Sequence, residues 1–107
     1  NYLESSATAL FIYTLAKAVN KGYISKDYIE PTRKAFDGMV KTFTRLEEDG
    51  SYTITNCCAV AGLGGDSKRY RDGSFEYYIS EPVIENDPKS VGSFILAAIE
   101  YEKMTDK

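Results

Sequence analysis

The chain has 107 residues, a formal net charge of −3 and 43% hydrophobic residues, and it contains no histidine. This length corresponds to at most one small domain, and this composition is typical of a folded chain rather than a disordered one. The mild acidity argues against a nucleic-acid-binding protein, and the absence of histidine excludes serine–histidine and cysteine–histidine catalytic arrangements.

The two cysteines, Cys57 and Cys58, are adjacent and lack the spacing of a zinc site or a redox centre. They predict a buried pair of reduced thiols. No apolar run is long enough to cross a membrane, and no signal peptide is visible at the start of the sequence. The chain opens at Asn1 without an initiator methionine, so we expect it to begin inside a larger protein.

The first predicted helix covers residues 5–20 and is apolar on nearly every face. Such a helix is either buried on all sides or missing its neighbours. Gly22 predicts the end of this helix, because glycine readily adopts the conformation that stops helices. The second predicted helix is amphipathic and covers residues 26–47, with Ser25 as a candidate N-cap. Pro31 lies awkwardly beyond its first turn, so the segment before it is predicted to be a separate short turn.

The third predicted helix covers residues 88–104 and has the clearest start. Asp87 is its predicted N-cap, and Pro88 takes the first helical position, where the missing N–H costs nothing. About forty residues separate the second helix from the third, which is more than a simple connection needs. Parts of residues 51–57 and 74–80 are predicted to pair there as a short β-hairpin. The expected fold is therefore mainly α, with three helices and a short β-hairpin in a long loop.

The most unusual part of that loop is the stretch AGLGGD, residues 61–66. A phosphate-binding loop needs its glycines after a strand and before a helix, often closed by Gly-Lys-Ser/Thr. Here the glycines lead into polar turn residues, so neither the P-loop nor the dinucleotide fingerprint is matched. On composition alone, a plain tight turn is the best interpretation of this stretch.

The order of three longer segments carries a family resemblance: ESSATALFIYTLAKAVNKGYI, CCAVAGLGG and YRDGSFEYYISEPVIENDPKSVGSFILAAIE. Over residues 4–100 the chain resembles the C-terminal part of the unsaturated rhamnogalacturonyl hydrolases, glycoside hydrolase family 105. The unsaturated glucuronyl hydrolases of family 88 are more distant. This resemblance implies the C-terminal fragment of an (α/α)6 toroid. In that toroid the first and third helices are inner, the second is outer, and the glycine-rich loop lies at the sugar-binding end.

The resemblance also implies a reaction. In the family, one aspartate protonates the C4–C5 double bond of an unsaturated uronic acid and activates the water that adds at C5, which releases the neighbouring rhamnose. No metal or organic cofactor is implied. No aspartate of this chain lies in the matching context, so we expect the catalytic group outside it and the fragment alone to be inactive. The implied partner is an unsaturated pectin-derived oligosaccharide, in the cytoplasm or alternatively the periplasm, with no nucleic acid and no membrane.

Several residues are predicted to form part of a substrate-binding wall. Tyr77 and Tyr78 are candidates to stack on a sugar face, because amphipathic rings suit that contact. Three further candidates to form hydrogen bonds with sugar hydroxyls or with the uronate are Glu81, Asn86 and Lys89. Glu4, Ser5 and Ser6 are also candidates, because they begin an inner helix and the free N–H groups at a helix start favour anions.

Each of these candidates also has a plain structural alternative. One of the two tyrosines is expected to pack under the loop, and Glu81 and Lys89 are alternatively solvated surface charges. The residues at the start of the first helix alternatively cap it, and Arg71 alternatively pairs with Asp72 across a turn.

Two other classes of function stay open at this point. One is a small helical module that binds a protein or carbohydrate partner through its apolar first helix. The other is a non-catalytic helical scaffold. Because helices cut from a toroid leave apolar surface uncovered, we expect contact with the rest of the barrel or self-association.

Overall fold

A computed structural model describes residues 2–66 and 70–106 of the chain. The fold is mainly α-helical, as predicted. The helices are α1 (Ser5–Asn20), α2 (Ile29–Phe43), the short α3 (Phe75–Ser80) and α4 (Pro88–Thr105), with a 3-10 turn at Lys26–Tyr28. The strands are β1 (Thr44–Leu46), β2 (Tyr52–Ile54), β3 (Cys57–Cys58) and β4 (Val83–Ile84). Two separate antiparallel pairs form, β1 with β2 and β3 with β4.

The predicted bounds of α1 and the predicted start of α4 are confirmed, because capping residues mark them in the sequence. α1 is followed by Gly22 at a φ of 73°, a conformation that glycine adopts without steric cost. At the start of α4, the Asp87 carboxylate accepts a hydrogen bond from the Lys89 backbone N–H at 2.8 Å. Pro88 occupies the first turn there. Local chemistry alone therefore positions both helices.

The prediction of one helix over residues 26–47 is wrong at both ends, while the separate short turn predicted before Pro31 is confirmed as the 3-10 turn at Lys26–Tyr28. Ser25 caps the short 3-10 turn by accepting from the Asp27 N–H at 3.1 Å, and α2 starts only at Ile29. Pro31 consequently falls in the first turn of α2, where no backbone donor is needed. At the other end, Thr44 is extended, and the chain leaves the helix to form β1, which pairs with β2.

The predicted pairing of residues 51–57 with residues 74–80 is also wrong. The partner of β2 is β1, reached through a turn at Gly50, whose φ is 87°. Residues 75–80 form α3, because the Ser74 hydroxyl accepts a hydrogen bond from the Tyr77 N–H at 3.0 Å and caps a helix there. The aromatic residues and the isoleucine of this stretch suit a strand, but the cap and the tertiary contacts favour one and a half helical turns.

α1 and α4 run parallel to each other and pack along their length. Near their first turns the hydroxyls of Ser5 and Ser90 hydrogen bond at 2.5 Å. Toward their other ends the side-chain amide of Asn20 donates to the Glu100 carbonyl at 2.9 Å. α2 runs in the opposite direction and covers one side of this pair. Neighbouring inner helices of an α/α toroid are parallel and the outer helix is antiparallel, so the arrangement is that of a toroid segment.

Two apolar clusters hold the three long helices together. One lies toward the first turns of α1 and consists of Ala9, Ile12, Met39, Phe43 and Ala97, with Phe36 and Phe94 packed against it. The other lies toward the far ends and consists of Ala16, Val19 and Met104, with Ile24, Ile29 and Tyr101 packed against it. Phe36 stacks on Tyr101 with ring centroids 3.9 Å apart, which joins α2 to α4.

Large apolar side chains on the outer sides of α1 and α4 remain exposed. We call them the uncovered helix faces, and they are Leu10, Phe11, Ile95, Leu96 and Ile99, which are 46–71% exposed. Of the two explanations for an apolar α1, missing neighbours is therefore the one observed within the described residues. None of the described helices is both long enough and apolar enough to cross a lipid bilayer.

Candidate functional site

The loops and short strands gather at the N-terminal ends of α1 and α4. We call this region the loop end; it comprises those first turns, β3, β4 and the described residues between the two strands. The Ser5 N–H donates to the Asn56 carbonyl at 2.9 Å, which brings β3 against α1. The Ala59 N–H donates to the Pro82 carbonyl at 2.9 Å, which extends the β3–β4 pair. Most of the predicted site residues lie in this region.

Glu4 caps α1 and joins it to β3. Its carboxylate accepts hydrogen bonds from the Ala7 N–H (2.7 Å), the Ser6 hydroxyl (2.7 Å) and the Cys58 N–H (3.1 Å). The capping alternative for Glu4 and Ser6 therefore describes their contacts. Burial raises the pKa of Glu4, but the hydrogen bonds outweigh it, so the pKa lies below its usual value. A carboxylate of the chain itself therefore already accepts from an N–H group at this helix start, where a carboxylate of a ligand was expected to bind.

The cap should make stability depend on pH. Because the folded-state pKa of Glu4 is lowered, its contribution is present above the unfolded pKa and is lost as pH falls through the folded pKa. Glu4→Gln keeps an acceptor oxygen but does not titrate. We expect the free energy of unfolding to fall more steeply in the wild-type chain than in the variant as pH drops below about 4.3. Urea titrations at several pH values measure this, and parallel pH profiles would contradict it.

Lys89 joins α4 to the segment after β3. Its Nζ donates to the Ala59 carbonyl at 2.8 Å and lies 2.7 Å from an Asp87 carboxylate oxygen. The hydrogen bond to Asp87 raises the pKa of Lys89 against the opposing effect of partial burial. About half of the side chain is exposed, so the lysine can reach solvent or a ligand while it holds the loop end together.

Glu81 is buried, so the alternative that it is a solvated surface charge is wrong. It is 3% exposed, accepts a hydrogen bond from the Tyr77 hydroxyl at 2.7 Å, and lies 3.9 Å from Arg71 Nε. We call these three residues the Tyr77–Glu81–Arg71 cluster. Burial, followed by the hydrogen bond to Glu81, raises the pKa of Tyr77. The alternative that Arg71 pairs with Asp72 is also wrong, because the Asp72 carboxylate accepts instead from the Ser74 N–H at 2.8 Å.

Tyr78 and Asn86 lie outside that cluster. Tyr78 is partly exposed, and its ring is parallel to the ring of Tyr2, with centroids 6.3 Å apart. Asn86 braces β2: the Ile54 N–H donates to Asn86 Oδ1 at 2.9 Å, and the Asn86 N–H donates to the Ile54 carbonyl at 2.8 Å. Asn86 thus has a structural contact in the described part of the chain, while Tyr78 is 37% exposed.

The glycine-rich stretch forms a tight loop that fixes Arg71. The N–H of Gly64 donates to the Arg71 carbonyl, and the Arg71 N–H donates to the Gly64 carbonyl, each at 2.7 Å. Gly64 and Gly65 have φ values of 79° and 121°, which other residues rarely adopt. A Cβ at Gly62 would lie 3.5 Å from Arg71 Nη1, so a larger residue at this position would take up space beside the guanidinium.

Arg71 is the residue that the sequence-based prediction of the site missed. Its sequence context is polar turn material without helical or strand periodicity, and the partner that it finds, Glu81, belongs to the turn after α3. The only available signal was a single arginine inside the segment that resembles the family. Such a signal does not separate a site residue from a surface charge.

A surface groove of about 650 Å³ lies at the opposite end of the molecule. Its lining residues are Lys17, Asn20, Lys21, Glu100, Lys103 and Asp106. Lysines near the C-terminal ends of helices interact favourably with the helix dipoles, which accounts for this charge pattern without a ligand. Across residues 2–66 and 70–106, no group of three or more cysteine, aspartate and glutamate residues is arranged to hold a metal ion. The loop end is therefore the better candidate site.

The parallel helices α1 and α4, the antiparallel α2 and the polar loop end have the arrangement of a segment of an α/α toroid. The chain belongs to Glycosyl Hydrolase Family 88, whose family model matches residues 1–105. A solved structure of a C. acetobutylicum glycoside hydrolase from family 105 is similar at a TM-score of 0.91 and 44% sequence identity. That match covers 95% of this chain and 28% of the solved one. The predicted relationship to families 105 and 88 is thereby confirmed.

Two curated relatives match the chain at lower identity. A protein of Agrobacterium fabrum and the 24.9 kDa protein in the picA locus of Rhizobium radiobacter are each 38% identical over 104 residues. Each match covers 94% of this chain and 45% of the relative. The chain thus spans about half the length of these relatives and a smaller share of the solved hydrolase.

Proposed function

We propose that the chain is the C-terminal part of an unsaturated rhamnogalacturonyl hydrolase. The parent protein hydrates the C4–C5 double bond of an unsaturated galacturonyl residue and releases rhamnose from pectin-derived oligosaccharides. The observation that carries this proposal is the 44% identity to a family 105 glycoside hydrolase over 95% of the chain. Since relatives of this kind act on oligosaccharides already cut by lyases, commonly after uptake, the proposed compartment is the cytoplasm, with the periplasm as the alternative.

The proposed reaction needs one group that both donates and accepts a proton. A proton is added to C4 and the oxygen of water is added to C5, after which the hemiketal rearranges and the bond to the neighbouring sugar breaks. A single carboxyl group serves both steps because it gives one proton and takes another. Ordinary glycosidases instead use a pair of carboxyl groups that flank the scissile bond. We place the reacting aspartate in the part of the parent protein outside residues 1–107.

The chain's own contribution is part of the substrate-binding wall at the loop end. The exposed ring of Tyr78 is suited to stack on a sugar, and the half-exposed Lys89 ammonium is suited to bind a hydroxyl or a carboxylate. Tyr77 and Glu81 support this surface from beneath, since Glu81 is buried. Glu4 and Ser6 cap α1 behind the surface, and Asn86 braces its edge.

The substrate proposal is tested with three disaccharides and the full-length protein. The first is unsaturated galacturonyl-rhamnose, the second an unsaturated glucuronyl disaccharide whose neighbouring sugar is not rhamnose, and the third saturated galacturonyl-rhamnose. We expect the fastest loss of double-bond ultraviolet absorbance with the first, together with release of rhamnose, and no rhamnose from the third. Release from the saturated compound would indicate ordinary glycosidase chemistry. Turnover of the glucuronyl compound alone would contradict the proposed substrate but not the proposed reaction.

A non-catalytic role is the second candidate, and the uncovered helix faces favour it. Exposed apolar surface on this scale usually marks a place where something docks. In this alternative the chain is a helical module that binds a protein or carbohydrate partner, and the full-length protein hydrolyses none of the three disaccharides.

A further inference from the structure

We propose that Arg71 binds the carboxylate of a uronic acid in the substrate, and that Glu81 and Tyr77 are positioning residues that orient its guanidinium. This inference rests on the proposed function, because it assigns the substrate's acidic group to a particular side chain. The same cluster would serve any sugar ligand that carries a carboxylate at this position.

The contact between Arg71 and Glu81 is one-sided. Glu81 has a side chain that is 0% exposed, while the Arg71 side chain is 33% exposed. Arg71 Nε is buried, lies 3.9 Å from Glu81 Oε1, and makes no hydrogen bond to the described residues. Glu81 therefore attracts the Nε edge of the guanidinium but does not occupy its Nη edge.

Arg45 is an arginine of the same chain whose guanidinium forms hydrogen bonds through both its Nη atoms and its Nε atom. Its two Nη atoms each donate to a different oxygen of Glu85 at 2.9 Å, and its Nε donates to Glu47 at 3.0 Å. Every side of that guanidinium that faces the protein has a partner. No such bidentate pair engages Arg71 among residues 2–66 and 70–106, so its Nη edge is available to a ligand.

The glycine-rich loop fixes the backbone of Arg71 and leaves room beside its guanidinium. The paired hydrogen bonds with Gly64 fix the arginine backbone, and a side chain at Gly62 would take up space next to Nη1. The Arg71 side chain is 33% exposed, and the charge of Glu81 attracts it from one side only. A group whose starting point is fixed before binding loses less entropy when the ligand arrives.

Carboxylate is the ligand class that this geometry fits. The Nη edge of a guanidinium matches the two oxygens of a carboxylate and forms two parallel hydrogen bonds, which lysine cannot reproduce. A uronic acid carries such a group on its sugar ring, and an uncharged sugar does not. Glu81 balances the charge of the buried side of Arg71, which makes partial burial of the arginine tolerable.

The test compares the free-acid substrate with its methyl ester in the full-length protein. We expect Arg71→Gln to raise KM for unsaturated galacturonyl-rhamnose about tenfold or more, with a much smaller change in kcat, because binding of the carboxylate is lost. KM for the methyl ester should stay unchanged. Arg71→Lys keeps the charge that balances Glu81 and should fold normally, yet it should still lose most of the preference for the acid. The matched control, Arg45→Gln, should leave both KM values unchanged.

Glu81→Gln tests the positioning role. It should lower the preference for the acid over the ester in the same direction as Arg71→Gln, by a smaller factor, in a variant whose circular dichroism matches the wild type. If both Arg71 variants change KM equally for acid and ester, or if Arg71→Lys keeps the full preference, Arg71 only neutralises Glu81 and the inference is overturned. A wild-type protein that hydrolyses neither substrate would instead overturn the proposed function on which the inference rests.

Discussion

The isolated 107-residue chain is expected to self-associate, and lysine substitutions on the uncovered helix faces are expected to make it monomeric. Phe11 on α1 is 71% exposed, and Ile95 on α4 is 55% exposed. Both are large apolar side chains on helices that the toroid arrangement makes inner ones. In the parent protein we propose that other hairpins of the barrel cover them. In isolation a second copy of the chain is the available cover, since apolar surface of this kind recruits a partner.

Sedimentation velocity across a concentration series measures this effect. Burying one such side chain stabilises an interface by about 1.5–3 kcal/mol, so Phe11→Lys combined with Ile95→Lys should weaken association by about a hundredfold or more. Leu46→Lys is the control, because Leu46 is equally exposed but lies on β1, away from α1 and α4. A wild-type chain that stays monomeric at high concentration would contradict the prediction, as would equal effects of the control and the double variant.

The positions of the long helices could be predicted from the sequence because their ends carry local signals. Asp87 with Pro88 marks the start of α4, and Gly22 marks the end of α1. The apolar surface of α1 allowed two explanations, burial on all sides or missing neighbours, and the exposed side chains decide for the second. Short-range chemistry of this kind is readable in one sequence.

The short elements of the long loop could not be predicted in the same way. Residues 75–80 are rich in aromatic residues that favour strands, but the Ser74 cap and burial of Glu81 against Tyr77 favour a helix. Residues 44–46 continue the helical pattern of α2, but pairing with β2 takes them into a strand. In both places tertiary contacts outweigh a weak local preference.

Most of the predicted site residues lie together at the loop end, but the sequence did not indicate which of them pair. Tyr77 and Glu81 were predicted to bind substrate directly, whereas the structure places Glu81 in the interior beside Arg71. The hydrogen bond from Cys58 to Glu4 joins segments that are far apart in the chain. Contacts of this kind depend on the fold as a whole, and neither periodicity nor spacing reports them.

The second large effect concerns activity: the isolated chain should not hydrolyse an unsaturated galacturonyl-rhamnose disaccharide at all. The reaction needs a proton donor for C4 and a base for the water that attacks C5. Three carboxyl groups at the loop end already have structural roles, since Glu4 and Asp87 cap helices and Glu81 is buried beside Arg71. A binding wall without a reacting group positions a sugar but does not lower the chemical barrier by acid–base catalysis.

The most direct measurement is the ultraviolet absorbance of the substrate double bond over time, with the isolated chain and the full-length protein compared at equal concentration. Both are purified from a host that lacks such a hydrolase, so that no contaminating enzyme contributes. We predict steady bleaching with rhamnose release for the full-length protein and a flat trace for the 107-residue chain. Bleaching with turnover by the isolated chain would contradict the assignment of the catalytic group to another part of the protein.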